Sequence, residues 1–407
     1  MGKILVIDDD EILRALIADV LTAQGHQVLA AADGETGLQM AVAEHPNLIF
    51  LDLMLPRVHG YWVLEQLRSK PEVGQPKIVV TSAKSYEADI RRAKSMGADR
   101  YLVKPFEPAE LVQIALELLQ NGSVRVKFWG TRGSIPAPGP NTVRYGGNTA
   151  CVEVRYDDHI LIFDAGSGIR VLGTELTSEF GTRPIGVHLF ISHTHWDHIQ
   201  GFPFFAPSYV AGNRISIYSV HGAGKPLEKV FLGQMDGDYF PVLLSDMAAE
   251  LKFFEMKDEV KIGPIVVDLE HLNHPGISVA FRVKVDGKSI VYMTDHEPFY
   301  RLHPGEFGER QEKRITEFAR GADLYIREAQ YTEEEYAIKK GWGHSTCHDA
   351  VRTAAQAGVR RLVIFHHEPL HTDEFMDRMM DECQQMVRTN NETFECLAAK
   401  EGEVIEI

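Results

Sequence analysis

At 407 residues the chain is longer than one hydrophobic core usually organises, so two domains, or three, are expected. Hydrophobic residues at 44% and charged residues at 25% are the balance of a globular protein and exclude a disordered one. A formal net charge of −16 argues against a surface that coats a large nucleic acid, while small polyanions held through metal ions stay compatible with it. The four cysteines, Cys151, Cys347, Cys383 and Cys396, show no CxxC spacing and fit reduced thiols. The opening MGKILVIDDDE has neither the basic start nor the long apolar stretch of a signal peptide, and no apolar run is long enough to span a membrane. A cytoplasmic location without membrane attachment is the expectation.

Residues 1–121 alternate short apolar runs with amphipathic stretches. ILVI at 4–7 precedes a helical pattern through Leu21; VLAA at 28–31, LIFLDL at 48–53 and KIVVTS at 77–82 follow; a helix ending near Gly97, the run RYLV at 100–103 and a helix over 107–120 complete five strand–helix units. At Asn121-Gly122-Ser123 that rhythm stops, which sets the expected domains at 1–121 and 122–407. The second region reads as strands over 124–129, 150–156, 160–164, 187–192 and 214–219, then as irregular chain. Further strands are expected near 279–285, 289–293 and 361–366, with helices near 309–320 and 346–357. No internal repeat or low-complexity tract is present.

In the first region Asp8 and Asp9 follow one strand, Asp52 ends another and Lys104 follows a third, so all four belong at carboxyl ends of strands, where α/β sheets place their sites. Clustered carboxylates repel unless a cation joins them, and hard oxygen ligands suit Mg²⁺. Single aspartates after strands often only cap helices, which does not explain three of them with a lysine. With Ser82 and Tyr101, the set resembles the receiver domain of two-component response regulators over essentially all of the first region. The resemblance implies a doubly wound (βα)5 fold, phosphorylation of Asp52 by a sensor histidine kinase, Mg²⁺ held by Asp8 and Asp9, and Lys104 on the phosphoryl oxygens. It also implies Ser82 and Tyr101 as the switch pair, with Thr81 the adjacent hydroxyl passed over, and a cis peptide bond at Lys104-Pro105.

In the second region, HTHWDH after the apolar run VHLFIS puts His193, His195, Asp197 and His198 within six residues. Imidazole and carboxylate donors on a loop leaving a strand are a Zn²⁺-type set, enough to begin two sites. His274 in LNHPG, Asp295 in VYMTDHE and His366 at the end of RLVIFHH adjoin expected strands and can complete them. Isolated histidines such as His26, His159 and His188 are read as ordinary surface or core residues. The spacing and order resemble the metallo-β-lactamase fold, an αββα sandwich. That resemblance implies His193, His195 and His274 on one metal, Asp197, His198 and His366 on the other, and Asp295 between them, with His274 preferred to His271 and His366 to His367. Zn²⁺ is the favoured ion, Mn or Fe the other options.

Two ions about 3.5–4 Å apart suit hydrolysis, with Asp197 orienting the water or taking its proton. GWGHST at 341–346 with the helix and strand after it is similar to the end of ribonuclease Z and related phosphodiesterases, which implies that His344 protonates a leaving alkoxide. The opening GTRGSIPAPGP and YGGNT resemble the same branch, with Arg132, Ser134 and Asn148 as substrate-contact candidates beside His367. No glycine- and proline-rich arm for gripping transfer RNA is found, which favours a small nucleotide-type substrate: a cyclic nucleotide, a cyclic dinucleotide or a short oligonucleotide. The expectation is a response regulator whose output is phosphodiester hydrolysis controlled by Asp52, with a homodimer as one candidate assembly. The alternatives are a thioester, lactone or β-lactam hydrolase on the same fold, and a di-iron oxygen or redox sensor.

Overall fold

The computed structural model describes residues 2–70, 73, 76–119, 123–181, 183–220 and 225–407. The chain separates into two compact units, Met1–Asn121 and Gly122–Ile407; Asn121 and Gly122, where the change of rhythm was read, lie outside the described residues, as does Gln120 at the end of the expected last helix of the first unit.

The first unit runs β1 (Lys3–Ile7), α1 (Glu11–Ala23), β2 (Gln27–Ala31), α2 (Gly34–Glu44), β3 (Leu48–Asp52), α3 (Gly60–Ser69), β4 (Lys77–Ser82), α4 (Glu87–Ser95), β5 (Arg100–Val103) and α5 (Pro108–Leu119). All pairings are parallel, in the order β2-β1-β3-β4-β5. The central strands are apolar along their whole length because helices cover both faces. On one face Ile17, Leu21, Leu111 and Ala115 of α1 and α5 pack on Ile4, Val6 and Phe50; on the other, Leu38, Val63, Leu67 and Ala93 of α2, α3 and α4 pack on Leu5, Ile49 and Val80. Asp10 and Asp33 start α1 and α2 by accepting from the backbone N–H groups of Ile12, Leu13 and Thr36. The Lys104-Pro105 bond is cis.

The second unit contains β6 (Arg125–Gly130), β7 (Cys151–Tyr156), β8 (His159–Phe163), α6 (Ile169–Phe180), β9 (Gly186–Phe190), α7 (Trp196–Ile199), β10 (Arg214–Ser219), α8 (Leu227–Gln234), β11 (Glu250–Glu255), β12 (Val260–Ile262), β13 (Ile265–His271), β14 (Val279–Val285), β15 (Lys288–Met293), α9 (Phe299–Leu302), α10 (Glu306–Ala319), β16 (Leu324–Glu328), α11 (Glu333–Lys339), α12 (Cys347–Ala357), β17 (Arg361–Phe365), α13 (Asp373–Thr389), β18 (Glu395–Ala398) and β19 (Val404–Glu406). Two seven-stranded sheets form, ordered β11-β10-β9-β8-β7-β6-β19 and β12-β13-β14-β15-β16-β17-β18. Their inner faces meet through Phe128, Phe163 and Phe190 of the first sheet and Phe281, Tyr292 and Phe365 of the second, with the rings of Phe163 and Phe281 5.7 Å apart. Helix α6 and α8 residues Leu172, Leu176 and Phe231 cover the outside of the first sheet; Ile315, Ala354, Met376 and Cys383 of α10, α12 and α13 cover the second. The unit is a four-layer αββα sandwich.

The chain after residue 219, expected to be irregular, instead supplies α8 and three strands, β11 to β13. Strand β11 is an edge whose residues are mostly exposed, and so lacks the apolar run by which buried strands are recognised. Among the described residues no helix is long and apolar enough to cross a membrane.

Candidate metal centre and phosphoacceptor pocket

In the first unit, Asp8, Asp9 and Asp52 bring one carboxylate oxygen each within 4.8 Å of one another, Asp8 and Asp52 buried and Asp9 exposed. Lys104 Nζ donates to Asp8 Oδ2 (2.8 Å) and Asp52 Oδ2 (2.7 Å), bridging the ends of β1 and β3. Backbone N–H groups of Asp10 and Met54 donate to the other oxygens of Asp8 and Asp52, fixing both carboxylates. Burial raises the Asp8 pKa above its ordinary value, with the neighbouring Asp52 adding to it against the lysine's pull. Burial alone would lower the Lys104 pKa, but the hydrogen bonds and charges of Asp52 and Asp8 hold it above the usual ammonium range. An all-oxygen pocket with an exposed carboxylate at its rim suits Mg²⁺. Ser82 and Thr81 are both buried at the end of β4, and Ser82 Oγ accepts from the Lys84 N–H while Tyr101 Oη donates to the Lys84 carbonyl, so one loop residue joins Ser82 and Tyr101.

In the second unit the donors converge where β9, β15 and β17 end. His195 Nδ1 lies 3.1 Å from both His193 Nε2 and His274 Nε2, and Asp295 Oδ2 lies 3.5 Å from His193 Nε2 and 3.6 Å from His274 Nε2. In the second set Asp197 Oδ2, His198 Nε2 and His366 Nε2 are mutually 3.2 Å apart, and Asp295 Oδ1 is 3.3 Å from His198 Nε2 and 3.2 Å from His366 Nε2. A tetrahedral site with Zn–N and Zn–O bonds near 2.0–2.1 Å has edges of about 3.4 Å, so both sets have the spacing of ligand tetrahedra sharing the Asp295 carboxylate. His271, the alternative to His274, sits exposed at the end of β13 outside both sets.

Each set is oriented from behind. His198 Nδ1–H donates to Asp164 Oδ2 (2.7 Å), an oxygen that also accepts from Tyr292 Oη (2.7 Å) and Ser192 Oγ (2.8 Å). His366 Nδ1–H donates to Gln330 Oε1 (3.1 Å), and His274 Nδ1–H to the Gly343 carbonyl (2.9 Å). These bonds fix the tautomers that aim Nε2 at the centre. Asp197 Oδ2 accepts from the Ser134 N–H at 2.7 Å. Asp164, Asp295 and His366 all adopt left-handed backbone (φ 61°, 47° and 58°), a conformation that costs free energy in side-chain-bearing residues and clusters at functional sites. Burial and the surrounding imidazoles lower the His193 pKa well below the ordinary imidazole value. Burial pulls His198 the same way, but Asp197, Asp295 and Asp164 overcome it and raise the His198 pKa well above the ordinary value. Burial works against the charge of Asp295 too, yet His366, His198 and His193 keep its carboxyl far below the usual range. Imidazole nitrogens and carboxylates packed this closely, with the Nδ1 atoms of His198, His274 and His366 engaged outward, fit a pair of divalent cations.

His344 lies over this centre, its ring 5.3 Å from that of His366 and 5.2 Å from that of His274. Its Nδ1, which makes no hydrogen bond among the described residues, is 3.9 Å from Asp295 Oδ2 and from Glu328 Oε2. Burial pushes its pKa down to about 4 against the pull of those carboxylates. The loop that carries it is held by buried Glu297, which accepts from Tyr336 Oη (2.6 Å), Gly341 N–H (2.8 Å) and Gly343 N–H (2.9 Å). Gly343 has φ 91°, and a Cβ there would fall 2.2 Å from His274 Nδ1, so glycine is what lets the loop approach His274.

The four substrate-contact candidates separate. Ser134 is exposed beside Asp197, with its Oγ accepting from Gln330 Nε2. Arg132 and His367, by contrast, are fully buried: Arg132 donates to the carbonyls of Gly146, Glu368 and His371, and His367 Nε2–H to that of Ala399. Neither reaches solvent, and both tie loops together. The Asn148 side chain is bound to Glu401 and Ser167, a connecting rather than a substrate-facing position. Sequence reading missed Asp164, Gln330, Glu328 and Glu297. Asp164 was findable, because HILIFD ends a strand on an acid in the same way as the Asp8 and Asp52 runs.

Residues 4–116 match the family model of the response regulator receiver domain, and residues 159–367, just over half of the chain, match that of the β-lactamase superfamily domain. The chain is 44% identical over 109 residues to "Probable transcriptional regulator ycf27" of Porphyridium aerugineum, covering 27% of this chain and 44% of that protein. It is 38% identical over 136 residues to the alkaline phosphatase synthesis transcriptional regulatory protein PhoP of Bacillus subtilis, covering 33% and 51%. The chain thus spans about half or less of these curated relatives. Among solved structures, the metallo-β-lactamase fold protein YhfI of Bacillus subtilis aligns over 70% of this chain and 99% of its own, with a TM-score of 0.51 and 19% identity, a likeness of fold alone. The chain therefore belongs to the β-lactamase superfamily, with a metallo-β-lactamase-fold domain preceded by a response regulator receiver domain.

Proposed function

We propose that the protein is a response regulator whose output domain is a dinuclear metal-dependent phosphodiesterase, phosphorylated on Asp52 by a sensor histidine kinase and acting on a small nucleotide-type ester. The observation that carries the hydrolase reading is the pair of donor sets sharing Asp295, each with ligand-tetrahedron edges. A pair of divalent ions bound there supplies Lewis acidity and a water acidic enough to attack at neutral pH. His193, His195 and His274 would hold one ion and Asp197, His198 and His366 the other, with the Asp295 carboxylate within reach of both sets. Asp197, steadied by the Ser134 N–H, orients the attacking water and takes its proton. His344 gives a proton to the leaving alkoxide oxygen, and the pull of Glu328, 3.9 Å from its Nδ1, works against the burial that disfavours its protonated form. This placement of an acid favours an ester with a poor leaving group, hence a phosphodiester over a thioester.

The test is hydrolysis by the purified, Zn²⁺- or Mn²⁺-loaded full chain of bis(p-nitrophenyl) phosphate, cyclic and linear nucleotides, thioesters and lactones. Phosphodiester cleavage that is lost in Asp197→Ala is expected. Cleavage confined to thioesters or lactones contradicts the reading.

A further inference from the structure

Two residues after Asp295 the chain buries a second carboxylate, Glu297, whose side chain bonds to no member of either donor set. Tyr336 Oη and the Gly341 N–H donate to its Oε1, and the Gly343 N–H to its Oε2. Among the described residues no cation pairs with it, so these hydrogen bonds are what offset the cost of burying its charge. An amide there would have a single acceptor oxygen and would turn a donor toward a donor, so the three converging donors call for an acid. The backbone of Glu297 is tied as firmly: its N–H donates to the Asn273 carbonyl (2.9 Å), and its carbonyl accepts from Asn273 Nδ2 (2.7 Å), one residue before His274. Gly343, held by the Glu297 carboxylate, accepts from His274 Nδ1–H through its own carbonyl (2.9 Å) and is followed directly by His344. These bonds close a ring from Glu297 to Gly343, on to His274, and through Asn273 back to Glu297. On the other side of His344 the Ser345 N–H donates to buried Glu328 (2.8 Å), so the only route by which Gly343 can shift is one that loosens its hold on Glu297.

We propose that Glu297 is a positioning residue with two effects carried by one residue, Gly343: it sets where His344 stands over the centre, and it holds the carbonyl that fixes the His274 tautomer aiming Nε2 at the first donor set. The first effect rests on the phosphodiesterase reading, while the second is measured by metal binding without turnover. Loss of the acceptor then costs proton donation by His344 and the affinity of one ion together, and leaves the Asp197, His198 and His366 set as it was. A carboxylate that only filled its place in the packing would affect both ions, and all esters, alike.

The experiment compares wild type with Glu297→Gln and, as a milder change that keeps the carboxylate, Tyr336→Phe, each as the Zn²⁺-loaded full chain. In a competitive chelator titration Glu297→Gln is expected to lose one ion about tenfold more readily than wild type and to hold the other unchanged. With Zn²⁺ saturating, kcat on adenylyl-(3′→5′)-adenosine and adenosine 3′,5′-cyclic phosphate, which release an alkoxide, is expected to fall about 10²-fold with KM within about twofold. On bis(p-nitrophenyl) phosphate, whose leaving group needs no acid, the fall is expected to be less than about threefold. Tyr336→Phe is expected to move both readouts the same way by about threefold, and it decides the question if Glu297→Gln does not fold. Equal losses on alkoxide and aryl esters, equal weakening of both ions, or wild-type behaviour in both variants overturns the proposal. In a wild type that cleaves these esters, either effect without the other overturns it too. No cleavage of any of the three by the wild type sinks the phosphodiesterase reading and the His344 effect with it, and the chelator titration then decides the His274 effect alone.

Discussion

The two units each gather acids at the carboxyl ends of strands, yet they manage the charge in opposite ways. In the receiver pocket three carboxylates are balanced by one lysine on a flexible stem, with Asp9 open to solvent. In the sandwich, buried carboxylates are interleaved with imidazoles whose far nitrogens are tied to Asp164, Gln330 and Gly343. Under the proposed function, the first arrangement lets the counter-charge follow a phosphoryl group gained and lost at Asp52. The second fixes its donors before any ligand arrives, as a site must when it stabilises charge that develops during a reaction.

The largest effects test that contrast at its two poles. Asp295→Asn is expected to drop hydrolysis of bis(p-nitrophenyl) phosphate to background, because both donor sets lose their shared anion; retention of more than about a tenth of the rate breaks the shared-centre picture. Asp52→Asn is expected to remove phosphorylation by acetyl phosphate entirely, read by mass, while leaving the metal content of the other unit untouched. His344→Ala is expected to cost about 10²–10⁴-fold in kcat on nucleotide esters with alkoxide leaving groups and far less on p-nitrophenyl esters; equal losses on both would remove its role as a proton donor. Asp164→Asn, which disturbs the acceptor shared by His198, Tyr292 and Ser192 behind the second set, is expected to weaken metal affinity by about 10–100-fold in a competitive chelator titration.

The smallest effect lies away from both sites. His188 packs beside Tyr218, and burial, with His159 nearby, pushes its pKa down to about 4. Since the ordinary value is 6.5, the unfolded chain takes up a proton that the folded one refuses as pH falls from about 6.5 to about 4, so stability declines across that window. The loss is about 1–2 kcal/mol after screening, and His188→Gln should show a shallower fall in urea midpoint between pH 7 and pH 4.5.

How much of this was legible in sequence depended on whether function and folding used the same signal. HTHWDH, and the strands that lead into Asp8, Asp52, Asp295 and His366, announce themselves because an apolar run delivers a polar residue to a strand end. The residues of both donor sets were therefore readable. Gln330 and Glu297 were not singled out, since each acts by accepting a hydrogen bond from a partner 36 to 46 residues away in the chain, a relation no local pattern carries. The burial of Arg132 and His367 was hidden for a related reason: glycine-rich turns look alike whether they cradle a ligand or pack against a neighbouring loop. The weakly patterned β11 and the short β12 escaped because their burial is set by neighbours rather than by their own composition.

The most direct measurement is anomalous diffraction at the zinc edge from crystals of the Zn²⁺-loaded chain. Two peaks are expected, one inside His193, His195 and His274 and one inside Asp197, His198 and His366, with Asp295 touching both. A single peak, or a second ion bound away from the Asp295 carboxylate, would contradict the dinuclear centre on which the hydrolytic reading stands.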